Sequence, residues 1–238
     1  MMNQWYETLG VFDLETTGID VETSRIVSAH VGVIDSTGGI VERSDWLADP
    51  GIEIPDQASA VHGITTERAR AEGRTAAVVV SEIIEALGAI FARGLAITIF
   101  NAPYDLTLLD REARRHGLVP LSAPSPIIDP LVLDRAVDKF RKGKRTLEAA
   151  SLFYGVELTA AHDAGADAIA AGRVAQAMVR IHPSKLAIDA SELHASQVVW
   201  CAEQAASFQD YMRRTKDPLF TTSGGWPLRE LAALTPLR

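Results

Sequence analysis

TLGVFDLETTG, residues Thr8 to Gly18, runs from an apolar strand into two acids and a turn. Its Leu, Val and Phe are strand formers, and TTGIDVETS (Thr16 to Ser24) is turn chemistry. Two further stretches of the same kind follow, Arg25 to Asp35 and Ile40 to Leu47, separated by Ser-Thr-Gly-Gly (Ser36 to Gly39). The pattern predicts three strands in an antiparallel meander. Because side chains alternate along a strand, Asp13 and Glu15 share one face of the first strand.

Beyond the meander the period changes. Val79, Ile83, Leu87 and Ile90 recur at helical spacing within Thr75 to Arg93, closed by Gly94. Leu95 to Phe100 is a short continuous apolar run, as in a buried parallel strand. Pro103 opens a helix to His116, stopped by Gly117, and Pro126 to Asp129 predicts another strand. Helical patterns cover Leu131 to Phe140, Thr146 to Tyr154, Ala164 to His182 and Ser191 to Thr215. A meander followed by alternating helices and strands implies an α/β fold, a mixed β-sheet flanked by helices. Residues 1–183 are expected to form the main domain, with 184–238 a C-terminal helical extension ending in an irregular tail.

With 238 residues, 47% hydrophobic and 23% charged, the chain can bury a core, which excludes wholesale disorder. One cysteine, Cys201, rules out an internal disulfide and a zinc site built from several thiolates. No basic, apolar leader and no long apolar run is visible, so a cytoplasmic protein without a membrane partner is expected. The net charge of −8 argues against a bulk polyanion binder. Local charge differs: Arg135, Lys139, Arg141, Lys142, Lys144 and Arg145 stand against Asp138 alone between residues 135 and 145. Such a run fits a solvated loop or a phosphate track.

Two carboxylates on one strand face repel each other unless solvent or a cation compensates, and oxygen ligands suit Mg²⁺ or Mn²⁺. Asp105, in Asn-Ala-Pro-Tyr-Asp (Asn101 to Asp105), falls in the first turn of a helix that follows a strand, where the macrodipole also favours an acid. Asp163 can cap the helix from Ala164, whereas Asp167 lies inside it among alanines and has no capping role. His162, just before that helix, can titrate near neutrality. Acids at strand ends and helix starts can converge on one edge of a sheet, where α/β folds place ligands.

FDLETTG (Phe12 to Gly18), NAPYD (Asn101 to Asp105) and HDAGADA (His162 to Ala168) resemble, in order and separation, the three motifs of the DEDDh 3′–5′ exonucleases. That superfamily includes the epsilon proofreading subunit of bacterial replicative DNA polymerase, ribonuclease T and oligoribonuclease. The resemblance covers about Thr8 to His182, and Val-His-Gly-Ile-Thr (Val61 to Thr65) is similar to a loop of the epsilon-like branch that lies against the terminal nucleotide. It implies a ribonuclease H-like fold and two divalent ions, Mg²⁺ or Mn²⁺. Asp13, Glu15, Asp105 and Asp167 would be the metal-binding acids and His162 the general base. Leu14, Thr16, Val61, His62 and Asn101 would contact the 3′-terminal nucleotide. Tyr104 stands where the family more often has Phe, and the chain past His182 has no counterpart.

The implied reaction is stepwise release of nucleoside 5′-monophosphates from the 3′ end of single-stranded DNA, in proofreading or repair. An exoribonuclease or oligoribonuclease acting on RNA, and a catalytically inactive nucleic-acid-binding module, are the alternatives. Arg135 to Arg145, or Arg111, Arg114 and Arg115, would supply the phosphate track. A DNA polymerase or sliding clamp is a further expected partner, the latter through a loose match at Gln204-Ala-Ala-Ser-Phe208; an amphipathic helix packing Trp200 and Phe208 on the core explains that stretch more simply. Trp46 and Trp226 are expected to be packing residues.

Overall fold

The structure, a computed structural model, describes residues 4–159 and 161–230. Three long strands, β1 (Thr8–Thr16), β2 (Ile26–Asp35) and β3 (Ile40–Asp49), form the expected antiparallel meander. Between β3 and the next long helix lie α1 (Asp56–His62), α2 (Thr66–Glu72) and a two-residue edge strand β4 (Arg74–Thr75). These short elements show no helical or strand period, and the sequence pattern does not reveal them. Gly63, in the left-handed region, ends α1, so Val61 and His62 sit on its last turn rather than in an open loop.

The chain continues through α3 (Ala76–Ala92), β5 (Ile97–Thr98), α4 (Ala102–Arg115), β6 (Ile127–Ile128), α5 (Pro130–Val137), α6 (Leu147–Tyr154), α7 (Ala164–Ile181), α8 (Pro183–Leu186) and α9 (Ala190–Thr215). The sheet order is β4-β3-β2-β1-β5-β6, with β5 parallel to both β1 and β6. Mixed pairing of this kind, with helices on both faces, is the α/β architecture the sequence implies.

Alternation along β1 divides the core. Phe12 and Leu14 pack with Val79, Ile83, Leu87 and Leu106 of α3 and α4 on one face. Leu9 and Val11 pack on the other with Val174, Ala175 and Met178 of α7. That second contact is tight: a Cβ at Gly172 would stand 2.6 Å from Val11 Cγ1 and 2.7 Å from Ile34 Cδ1. The alanine-rich face of α7 therefore lets its backbone approach the strands, which brings its N-terminal turn up to the acids of β1.

Helix α9 runs past β6, and Gln197 secures it by donating to the Ile127 carbonyl and accepting from the Asp129 amide. Residues 216–230 carry no regular element yet dock back, with Trp226 buried in the core and Trp46 partly buried against it. Phe208 departs from expectation. Only Leu193 and Gln197 of α9 are buried; Phe208 is half exposed, in edge contact with Phe220, because the helix outruns the sheet. The end of the expected tail, residues 231–238, lies outside the described residues. Among those described, no helix is long and apolar enough to cross a membrane.

Candidate active site

Four acids meet at the end of β1, and each arrives by a local rule. Strand alternation puts Asp13 and Glu15 on the face toward α7, Asp105 occupies the first turn of α4, and Asp167 that of α7. Asp105 is buried, and its Oδ1 accepts from the Leu14 amide at 3.1 Å, tying α4 to β1 between the two strand acids. Asp163 caps α7 by accepting from the Ala166 amide. Asp167 Oδ2 accepts from the His162 amide at 3.2 Å, while its Oδ1 is buried with no hydrogen-bond partner among the described residues.

Electrostatics record the crowding. Burial raises Asp13 well above the usual carboxylate range, and Asp105, Asp167, Glu15 and Asp163 push it further. Glu15 is pushed up to about 8 by burial and then by Asp167 and Asp163. Asp167 rises to about 6, chiefly through burial, although the His162 amide and ring draw it back. Asp105 is raised by burial, against two amide hydrogen bonds, with Asp129 and Glu15 adding repulsion. Unpaired acids in this density are costly, and cations compensate them.

Glu15, His162 and Asp167 each offer a ligand atom within 4.8 Å of the others. Carboxylates beside one imidazole, with one buried oxygen lacking a partner among the described residues, fit hard divalent cations such as Mg²⁺ or Mn²⁺. Asp13, Glu15, Asp105 and Asp167 are the residues that would hold them. His162, left-handed at φ 67° and about half exposed, turns Nε2 to within 3.7 Å of Glu148 Oε1. Glu148, which sequence reading passed over, is thus placed to orient the imidazole. Only folding reveals it, since α6 and the turn before α7 meet in space.

The expected nucleotide contacts are less uniform. Leu14 gives its amide to Asp105, so it serves by fixing that carboxylate and has no free backbone donor for a nucleotide. Thr16 lies buried beside Tyr104: their hydroxyls are 2.5 Å apart and both reach the Gly18 carbonyl. Tyr in place of Phe therefore adds a strap across the turn after β1. His62 approaches the Thr16 backbone and His162; burial lowers its pKa, His162 lowers it further, and Thr16 opposes. Its Nδ1 accepts from the Ile64 amide, and its Nε2 has no hydrogen-bond partner among the described residues. Val61 is half exposed. Asn101 is exposed and left-handed, and its amide donates to Asp129 Oδ1. Asp129 also holds Ala102, Leu131 and Trp226 Nε1, a buried hub linking the extension to the start of α4.

The basic runs need correction. Arg141 and Arg145 both clamp Asp134, which also accepts from Tyr154, and are largely buried. Those two guanidiniums are structural. Arg111 is paired with Glu22 and Asp110, Arg114 with Asp110, and Arg115 with Glu112, so the alternative track is neutralised by its own neighbours.

Residues 11–175 match the model of the RNase T family, described as Exonuclease. The chain belongs to this exonuclease family. A DNA polymerase III subunit epsilon-like protein of Rhodobacter capsulatus is 31% identical over 184 residues, covering 74% of this chain and 24% of that protein. A PolC-type DNA polymerase III of Lacticaseibacillus paracasei is 29% identical over 169 residues, 71% of this chain and 11% of the polymerase. The match thus spans a quarter or less of these relatives. The fold resembles that of exonuclease I, with a TM-score of 0.65 at 22% identity over 75% of this chain and 42% of the other. The E. coli enzyme in complex with a dA16 oligonucleotide gives a TM-score of 0.64 with the same identity and coverage.

Proposed function

We propose that this member of the exonuclease family is a two-metal-ion 3′–5′ exonuclease that releases nucleoside 5′-monophosphates from single-stranded DNA. The observation that carries the reading is the convergence of Asp13, Glu15, Asp105 and Asp167 beside His162, with Asp167 Oδ1 buried and without a hydrogen-bond partner among the described residues. When bound, divalent ions would offset the phosphate charge and activate water. The chain's own residues have the remaining tasks. The four acids would hold the ions, the Thr16–Tyr104 strap shapes the turn after β1, and the His162 imidazole takes the proton of the attacking water on the nitrogen that does not face Glu148, whose carboxylate stands beside Nε2. DNA rather than RNA is favoured because the relatives are named as DNA polymerase III proteins and exonuclease I is seen with DNA oligonucleotides.

Residues 1–183 constitute the catalytic unit in this reading, and 184–238 an extension to it. Work beside a DNA polymerase follows from the relatives' names. A clamp contact through Gln204 to Phe208 has less support, since those residues lie inside α9 and Gln204 donates to the Val132 carbonyl. The test is cleavage of 5′- and 3′-labelled single-stranded DNA and RNA of one sequence in Mg²⁺ or Mn²⁺. Stepwise loss of 5′-monophosphates from the 3′ end, faster on DNA and abolished in Asp13→Ala, is expected. Faster RNA cleavage would make the chain an exoribonuclease, and no cleavage of either by folded protein would leave a binding module.

A further inference from the structure

A cavity of about 800 Å³ lies between α9, the end of α5 and residues 222–229, and Asn101 and Pro103 form part of its wall. Those two residues open α4, whose first turn carries Asp105, so the cavity borders the acid cluster through one helix. Its charge opposes that of the chain. Arg135, Lys139, Lys185 and Arg229 line it without an ion-pair partner among the described residues, against the single acid Glu203. Arg145 also lines it but is engaged by Asp134.

Aromatic rings complete the wall. Phe208 and Tyr211 are each half exposed, and Trp200 lies partly buried with Lys185 Nζ 5.2 Å from its ring centre. Cations without acidic partners, of which Lys185 also donates to the Ala136 carbonyl, interleaved with exposed rings match single-stranded nucleic acid, whose phosphates need charge and whose unpaired bases stack. A duplex hides those base faces, and an acidic peptide has no use for them. The half-exposed Phe208 thereby gains a reason to remain at the surface.

We infer that the C-terminal extension builds a groove that holds single-stranded DNA upstream of the 3′ end, with Arg135, Lys139, Lys185 and Arg229 on its phosphates and Phe208 and Tyr211 on its bases. The choice of DNA rests on the function proposed above. Four phosphate contacts set the slope of log affinity against log salt at about −3, at roughly 0.7 per contact. Affinity should then fall roughly 50-fold between 50 and 200 mM salt.

The experiment measures fluorescence anisotropy of 5′-labelled oligothymidylates of increasing length, dT3 to dT15, in EDTA, for the full chain and for Arg135→Ala combined with Lys139→Ala. Wild type should gain at least about tenfold in affinity with length. The double variant, confirmed as folded by circular dichroism, should lose most of that gain and have a salt slope shallower by about 1.4. Affinity independent of length, an equal gain in the variant, or equal binding of duplex DNA each overturn the groove. Cleavage of dT3 in Mg²⁺ reports on the exonuclease reading separately. A chain that trims dT3 but binds dT15 no better refutes the groove alone, and one that cuts nothing yet binds longer strands more tightly refutes only the exonuclease.

Discussion

Replacing Glu15 by Gln should stabilise the metal-free protein and weaken its response to metal. Glu15 has its carboxyl pushed from 4.5 to about 8, by burial first and then by Asp167 and Asp163. A raised acid pKa means that the folded state binds the proton more tightly than the unfolded chain. Its favourable contribution is therefore complete below 4.5 and is lost as pH rises from there to about 8. At pH 7 the full linkage is about 3 kcal/mol, from roughly 1.4 kcal/mol per pH unit above the unfolded value. Screening of a carboxylate that keeps some solvent contact reduces this to about 1–2 kcal/mol. Urea unfolding in EDTA at pH 4 and pH 7.5 measures it: the two proteins should nearly coincide at the lower pH, with Glu15→Gln ahead at the higher. With Mg²⁺ at a hundred times its Kd the order should reverse, because wild type gains about 2.7 kcal/mol from binding. A Glu15→Gln protein less stable than wild type in EDTA at pH 7.5 would refute the electrostatic account of the cluster.

Removing the imidazole in His162→Ala should lower kcat about 10²–10⁴-fold while leaving oligonucleotide affinity in EDTA within about twofold, measured by single-turnover kinetics and anisotropy. Asp134→Ala strands the buried guanidiniums of Arg141 and Arg145 and should cost about 3–5 kcal/mol in urea unfolding at pH 7. The pH sense at Asp134 is the reverse of that at Glu15. Burial raises its pKa, but Arg141, Tyr154 and Arg145 outweigh that and hold it below 3.8, so the clamp's stability should be lost only on acidification through that lowered value. Gly172→Ala forces a Cβ against Val11 and Ile34 and should cost about 1–3 kcal/mol, read as a lower unfolding midpoint.

Much of the fold is legible in the chain because its signals are local. The β1–β3 meander follows from alternation and turn residues, and α3, α4 and α7 from period and caps, each bounded by residues whose backbone preferences act within a turn. The acids are partly legible for the same reason: strand parity sets where Asp13 and Glu15 point and first-turn placement does so for Asp105, whereas Asp167, read as lying inside its helix, falls in the first turn of α7. What escapes reading depends on partners distant in sequence. Nothing near Arg141 and Arg145 says that Asp134 will claim both guanidiniums, and nothing near His162 names Glu148. Helices α1 and α2 are too short to show a period. Phe208 fits an apolar stripe, but whether a stripe meets a core depends on how far α9 extends beyond β6.

The measurement that bears most directly on the central claim is the binding stoichiometry of Mn²⁺, by calorimetry on the intact chain, beside Asp13→Asn and Asp167→Asn. Two ions per wild-type chain are predicted, with heat lost in both variants while circular dichroism stays native. A folded wild type that binds no Mn²⁺, or variants that bind as wild type does, would contradict the assignment of these acids as the metal site.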